Sequence, residues 1–393
     1  MNDPIVIVSA ARTPLAAFQG AFSPVSANDL GAVAIRAAIE RAGLDPNQVN
    51  EVFMGNVLMA GQGQAPARQA LLKAGLPVST GAVTLNKVCG SAMQAMMFGH
   101  DSILAGTNDV VVVGGMESMT NAPYLLDKAR AGFRVGHGAI YDHMMLDGLE
   151  DAYEKGRAMG LFGEDCAAKY GFTRAQQDEY AIMSTTRAVT ATSDGSFAWE
   201  IAAVTVPGRN GDTVVDKDER ALVSKADKIP TLKPAFKKDG TITAASSSAN
   251  ADGAAALVLM RESTAKKLGC KPIARILGHA RHSQEPQWFT TAPVGAIAKL
   301  YSKVGWRSSE VDLFEVNEAF AAVPMAAMKE HDIPHSKMNI HGGACALGHP
   351  IGASGARIVV TLLGALKKTG GKRGVAAICI GSGEATAIAV EMI

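Results

Sequence analysis

Twice along this chain short apolar runs alternate with helical patterns in the same order, and no other feature limits the fold as much. In the first half Ile5 to Ser9, Val49 to Met54, Val83 to Leu85 and Asp109 to Val113 read as strands. Between them lie a helix capped by Asn28 and stopped at Gly43, a second over Pro66 to Ala74 and a third over Ser91 to Gly106. Near the C-terminus Pro272 to Gly278, Val311 to Val316 and Val375 to Ile380 repeat the strand pattern, with helices over Val294 to Val304 and from Ala353 onward. Strands joined through helices run parallel, and the crossovers cover both faces of the sheet. The stretch AGLDPNQVNEVFMGN, residues 42–56, also parallels VGWRSSEVDLFEVN, residues 304–317, within one residue of spacing. The chain therefore reads as a duplicated α/β half.

A sheet buried on both faces needs a large apolar fraction, and the 393 residues are 48% hydrophobic against 19% charged. A formal charge of +1 supplies no field for nucleic acid or an anionic membrane, and no apolar run reaches the ~20 residues of a membrane span. Five cysteines without a CxxC pair point to a reducing compartment, and a strand from Pro4 leaves no room for a leader, so a cytoplasmic protein is expected. His279 and His282 lack a third ligand at metal spacing, so no metal is expected. Between the halves the sequence is richer in charge and glycine. Thr173 and Gln176 form a capping box there, Gly208 to Lys238 reads as a solvated face, and Ala244 to Asp252 as a tight loop against the buried run Ala254 to Met260.

Four stretches carry chemistry. In NKVCGSA, Cys89 sits between an apolar strand and a helix start, where free N–H groups and the helix dipole lower a thiol pKa from ~8.5 and make a nucleophile; a buried, inert cysteine is the plainer alternative. In the glycine-rich HGGACALGHPIGASG, His349 lies between Gly348 and Pro350, where packing gives little reason for an imidazole; near Cys89 it would accept the thiol proton, and alone it is equally a structural histidine. Cys345 in the same turn is either buried or reactive. In ICIGSGEA, Cys379 ends an apolar strand, the place where α/β folds meet ligands. It would serve as a second acid and base, or simply fill a small buried space, while the Gly381 N–H joins that of Cys89 in an oxyanion hole. In VNEAFAAVP, Asn317 follows a strand and its amide can hold a water or the base histidine. Glu318 either orients His349 or, more cheaply, caps the helix.

Together CGS at Cys89, NEAF at Asn317, GHPIGASG at His349 and CIG at Cys379 resemble the active-site blocks of the thiolase family, in its order, and the resemblance runs from PIVIVSAARTP through GGMESMTNAPY to the end of the chain. It implies an α/β fold of two βαβαβαββ halves in a five-layered α/β/α/β/α core: residues 1–117 completed by 249–270, an inserted loop domain at 118–248 for coenzyme A binding and oligomerisation, and residues 271–393. It implies that Cys89 accepts the acyl group, His349 is its base, Cys379 the second acid/base, Asn317 the holder of an oxyanion-hole water, and Gly381 a donor in the second hole. Met159, Ser248 and Phe320 fall where the family contacts the pantetheine arm, and Arg220 is a candidate for the adenine region. The implied activity is ping-pong Claisen condensation of two acetyl-CoA and its reverse, without a separate cofactor, in a dimer or tetramer. A broader 3-oxoacyl-CoA thiolase of fatty-acid oxidation is the alternative, since Ala158 stands where several acetoacetyl-specific members carry His. A non-catalytic CoA- or lipid-binding relative would have lost one of the four residues, and a cysteine hydrolase would not need Cys379.

Overall fold

Each expected strand forms in the computed structural model, which describes residues 3–393. In the first half these are β1 (Ile5–Arg12), β2 (Glu51–Gly55), β3 (Gly81–Leu85) and β4 (Val110–Ser118), alternating with α1 (Ala27–Ala42), α2 (Pro66–Ala74) and α3 (Ser91–Leu104). The chain then leaves the core for residues 119–250, which include α4 (Met159–Tyr170) and α5 (Arg174–Ser193), and returns as β5 (Ala251–Arg261). The second half supplies β6 (Ala274–Ser283), α6 (Ala292–Val304), β7 (Leu313–Val316), α7 (Ala322–Glu330), α8 (Ser354–Thr369), β8 (Arg373–Ile380) and β9 (Glu384–Met392).

The strand order is β7-β8-β9-β6-β1-β5-β4-β2-β3, two half-sheets meeting where β1 and β6 pair through Val6↔Arg275 and Ile7↔Ala274. Read outward from that junction, the halves repeat: β1 matches β6, β5 matches β9, β4 matches β8 and β2 matches β7. The duplicated stretch behaves accordingly. Gly43 and Gly305 close α1 and α6 at φ 63° and 71°, a short 3₁₀ turn follows each, and Asn56 and Asn317 end up just past β2 and β7. The second half lacks a full third strand, and a single parallel bridge between Phe314 and Met338 takes its place.

The expectation of purely parallel pairing is corrected. Only β2–β3, β2–β4 and β7–β8 are parallel; β8 and β9 are joined by the tight turn Gly381–Gly383, which forces antiparallel pairing, and β5 enters antiparallel to both β1 and β4. Successive residues of β5 point to opposite faces, and from Ala254 to Met260 all are apolar. Ala254, Ala256, Val258 and Met260 join the core beneath α1, while Ala255, Leu257 and Leu259 join the one around α3 and α8. Because α3 and α8 pack on each other and each touches strands of both halves, they form the middle of five layers, with α1 and α2 outside one half-sheet and α6 and α7 outside the other.

One cap differs in detail. Ser26, not Asn28, caps α1 by accepting the Asp29 N–H, because Asn28 already lies inside the helix and donates its amide to Gln69 at 2.8 Å. The Thr173/Gln176 capping box opens α5 as expected. The segment outside the core is anchored by Arg12, fully buried, which forms ion pairs with Glu200 at 2.5 Å and Asp218 at 2.7 Å beneath the Phe197 ring. Among the described residues no helix is long and apolar enough to cross a membrane.

Candidate active site

Between β3 and α3 the backbone turns at Val88, whose φ of 45° is unusual for a β-branched residue and holds Cys89 at a sharp corner. Gly90 is the N-cap, so Cys89 stands one residue outside the helix; a Cβ on Gly90 would lie 2.3 Å from Ile380, and only glycine lets these segments close. The N–H groups of Gly381 and of Cys89 itself favour a negative charge on the Cys89 sulfur. The expected lowering of its pKa is nevertheless corrected: burial pushes the thiol up to about 12, Glu117 adds to this, and the two N–H groups offset only part of it. Free Cys89 is therefore a thiol at neutral pH and needs a base.

The glycine-rich turn supplies one. Gly348 adopts φ 110° with no space for a side chain against Ala251, and the His349 N–H donates to Ala249 O at 2.8 Å. His349 Nδ1 lies 2.6 Å from Ser354 Oγ, and the Ser354 hydroxyl donates to Pro350 O at 2.9 Å. With its only proton committed there, Ser354 accepts from Nδ1–H, which leaves Nε2 as the nitrogen with a free lone pair. Asn317 Nδ2 points at that Nε2 from 3.5 Å. Burial, helped by the Arg357 charge, brings the imidazole down to about 3, so it is neutral at pH 7.

Cys89, His349 and Gly381 line one cavity of about 270 Å³, together with Met159, Ser248 and Phe320. Cys379 and Asn317 do not reach its wall. Cys379 is fully buried behind it, its pKa pushed well above the usual thiol value by burial and then by the nearby Cys89 charge. Ala244 to Asp252 is a brace as well as a turn: Ser248 N–H donates to Ala319 O at 2.9 Å, and Ala249 holds His349. Ala158 also lines the cavity. So do Met145, Leu149, Phe236, Phe289 and Ile351, which sequence reasoning missed because they are ordinary apolar residues brought there only by tertiary structure.

Arg220, Glu318 and His279 have neighbours that the sequence does not show, and for Glu318 the expectation is corrected. Arg220 does not line the cavity; it lies behind the turn, its Cδ 3.8 Å from a Cβ built on Gly348. Glu318 neither caps α7, which begins at Ala322, nor touches His349. It is fully buried and accepts from Tyr180 at 3.0 Å, Ser184 at 2.7 Å, Asn339 at 2.9 Å and the Cys345 N–H at 3.1 Å, tying the glycine-rich turn to α5. His279 does have metal-capable neighbours, His100 and Asp101, while His282 turns to Gln284 instead. Cys345 is buried, with its pKa well above the usual thiol value through burial and the Glu318 charge.

A second buried carboxylate, Glu117, was not anticipated. Its Oε1 accepts from Leu58 N–H at 3.1 Å and Asn56 Nδ2 at 2.7 Å, its Oε2 from Val57 N–H at 3.0 Å and Gly352 N–H at 2.8 Å. It thereby clamps the His349 turn to the loop after β2, against whose Val57 and Leu58 Cys89 packs.

Residues 5–263 match the family description "Thiolase, N-terminal domain" and residues 270–392 "Thiolase, C-terminal domain". Acetyl-CoA acetyltransferase 2 of Arabidopsis thaliana is 50% identical over 392 residues, covering 99% of this chain and 97% of that protein. The acetyl-CoA acetyltransferase of Cupriavidus necator is 47% identical over 393 residues, covering 100% of both. In solved structures, a Bacillus anthracis acetyl-CoA acetyltransferase superposes with TM-score 0.96 at 39% identity, covering 100% of this chain and 99% of that one. A thiolase from Ascaris suum in complex with coenzyme A superposes with TM-score 0.93 at 42% identity, covering 99% and 100%.

Proposed function

The chain belongs to the thiolase family, and we propose that it acts as an acetyl-CoA C-acetyltransferase, condensing two acetyl-CoA to acetoacetyl-CoA and CoA, and running the reverse thiolysis. Cys89 passes its proton to His349 Nε2, and the thiolate attacks the thioester carbonyl of acetyl-CoA. The oxyanion of the tetrahedral intermediate is held by the Cys89 and Gly381 N–H groups. Collapse expels the CoA thiolate, which takes the proton of Cys379 and leaves acetyl-Cys89, the Cys379 thiolate and protonated His349. The Cys379 thiolate removes the α-proton of a second acetyl-CoA, with the enolate oxygen beside His349 and a water held by Asn317. The enolate carbon attacks acetyl-Cys89, the C–S bond breaks, the Cys89 thiolate takes the proton back from His349, and acetoacetyl-CoA leaves. No cofactor beyond the CoA thioesters is needed.

The observation that carries this reading is that Cys89, His349 and Gly381 line one cavity, with His349 Nδ1 committed to Ser354 so that Nε2 is free. Met159, Ser248 and Phe320 in its wall support a pantetheine site there, between the loop domain at 118–248 and the core. Brief exposure to acetyl-CoA followed by peptide mass spectrometry is expected to find one acetyl group, on Cys89. Acetylation elsewhere, or none, would overturn the reading. Ala158 in the cavity wall favours a second reading, a broader 3-oxoacyl-CoA thiolase of fatty-acid metabolism. Thiolysis of acetoacetyl-CoA against a longer 3-oxoacyl-CoA separates the two.

The assembly belongs to the same proposal: a homotetramer built from dimers. Its support is the outer strand β3, with Val83 exposed, and the exposed Tyr124, Leu126, Val135 and Ile140 in the segment after β4. Light scattering that returned the monomer mass would refute it. Five free cysteines are consistent with a cytoplasmic site of action.

A further inference from the structure

We propose that His100, Asp101 and His279 form a binding site for one divalent transition-metal ion, separate from the Cys89 cavity. His100 and Asp101 stand near the C-terminal end of α3, about 14 Å along the helix from its start beside Cys89. His279 comes from β6 in the other half of the molecule.

Asp101 Oδ1 lies 3.0 Å from His100 Nδ1 and 2.8 Å from His279 Nε2, and the three ligand atoms all fall within 4.8 Å of one another. A tetrahedral ion with ligands at ~2.0–2.2 Å separates them by roughly 3.3 Å, so a small outward shift makes room for it. Both imidazoles are buried and edge-to-face at 5.0 Å, which holds the two nitrogens in place. Each ring donates an N–H to Asp101 Oδ1, and a bound ion takes the place of those two protons, which move to the other ring nitrogens. The Asp101 side chain is 54% exposed, which provides an entry path and a solvent face for a fourth, water ligand.

One cation faces the site: Lys303, whose Nζ donates to His279 O at 3.1 Å and whose charge acts on both rings. Lys303 repels every divalent ion alike, so the two imidazoles set the preference, for Zn²⁺, Ni²⁺ or Co²⁺ and against Mg²⁺ or Ca²⁺, which prefer all-oxygen shells. A bound ion would link the two duplicated halves through α3 and β6.

The test is titration of the full-length enzyme with Co²⁺, followed by absorption spectroscopy. One ion per chain is expected, with a four-coordinate ligand-field spectrum that lacks sulfur-to-cobalt charge transfer. Asp101→Asn and His279→Gln should each weaken binding by about tenfold or more. Asp101 is half-exposed, so its variant keeps the test valid should His279→Gln fail to fold. Charge transfer would place the ion on the Cys89 and Cys379 sulfurs and overturn the proposal. So would undiminished binding by Asp101→Asn. An absence of binding by the unaltered protein, with only a loss of stability in the variants, would leave a hydrogen-bonded staple and no metal site.

Discussion

Replacing Glu117 by Gln tests how the turn that carries His349 is held. The ionised carboxylate accepts four hydrogen bonds from two loops while fully buried. No neutral side chain of that size can do so, since an amide presents N–H groups to two of the four donors. Burial is the dominant effect on this group and raises its pKa from an ordinary 4.5 to about 7, the hydrogen bonds recovering only part of the cost. Between those two values the folded chain holds a proton that the unfolded chain has released, so stability falls as pH rises. At ~1.4 kcal/mol per pH unit, the contribution lost across that window is about 3 kcal/mol. Glu117→Gln cannot titrate and lacks this slope. Urea unfolding of both proteins at about pH 4 and about pH 8 should therefore show the wild type's advantage over the variant shrinking by about 3 kcal/mol toward the higher pH. A difference that stays constant with pH would refute the argument, whatever its absolute size.

Three other outcomes follow from the site. With the Cys89 thiol pushed up to about 12, alkylation by iodoacetamide should accelerate about tenfold per pH unit through the neutral range with no plateau; a plateau near neutrality would mean that the Gly381 and Cys89 N–H groups outweigh burial. Ser354→Ala removes the acceptor for His349 Nδ1–H, and an orphaned buried donor costs ~1–3 kcal/mol, so kcat should fall by about tenfold or more at little change in KM, with Ser354→Thr restoring activity. Unchanged kcat in the alanine variant would remove Ser354 from the chain of contacts that orients the base. Cys379→Ala should still accumulate acetyl-Cys89 yet make no acetoacetyl-CoA, measured by mass spectrometry and by product formation. Wild-type condensation in that variant would remove Cys379 from the mechanism.

Much of this could be read from the letters because the relevant signals are local. Cys89, His349 and Cys379 each stand beside glycines that serve neither helix nor strand, and the duplicated stretch placed Asn317 at a strand end before any coordinates did. Reading failed wherever the deciding contact was distant in sequence. Glu318 has the neighbours of a helix cap, but its partners Tyr180 and Ser184 lie 138 and 134 positions away. Local reasoning about the Cys89 pKa saw the helix start and not the burial, which depends on Ile351, Leu58 and the inserted segment closing over it. Nothing nearby in sequence shows that Arg220 faces the back of Gly348. His279 found its metal-capable neighbours 178 positions upstream, at Asp101 and His100.

β5 lies between β1 and β4 and hydrogen-bonds to both, yet it is translated after the 119–250 excursion. On the ribosome, the first half must therefore wait with two strand edges open while more than a hundred residues of unrelated structure emerge. An open edge is a template for mispairing with other nascent chains. Synonymous changes that slow translation just before Ala251 should thus lower the soluble yield of an otherwise unaltered polypeptide, and a chaperone that shields strand edges should restore it.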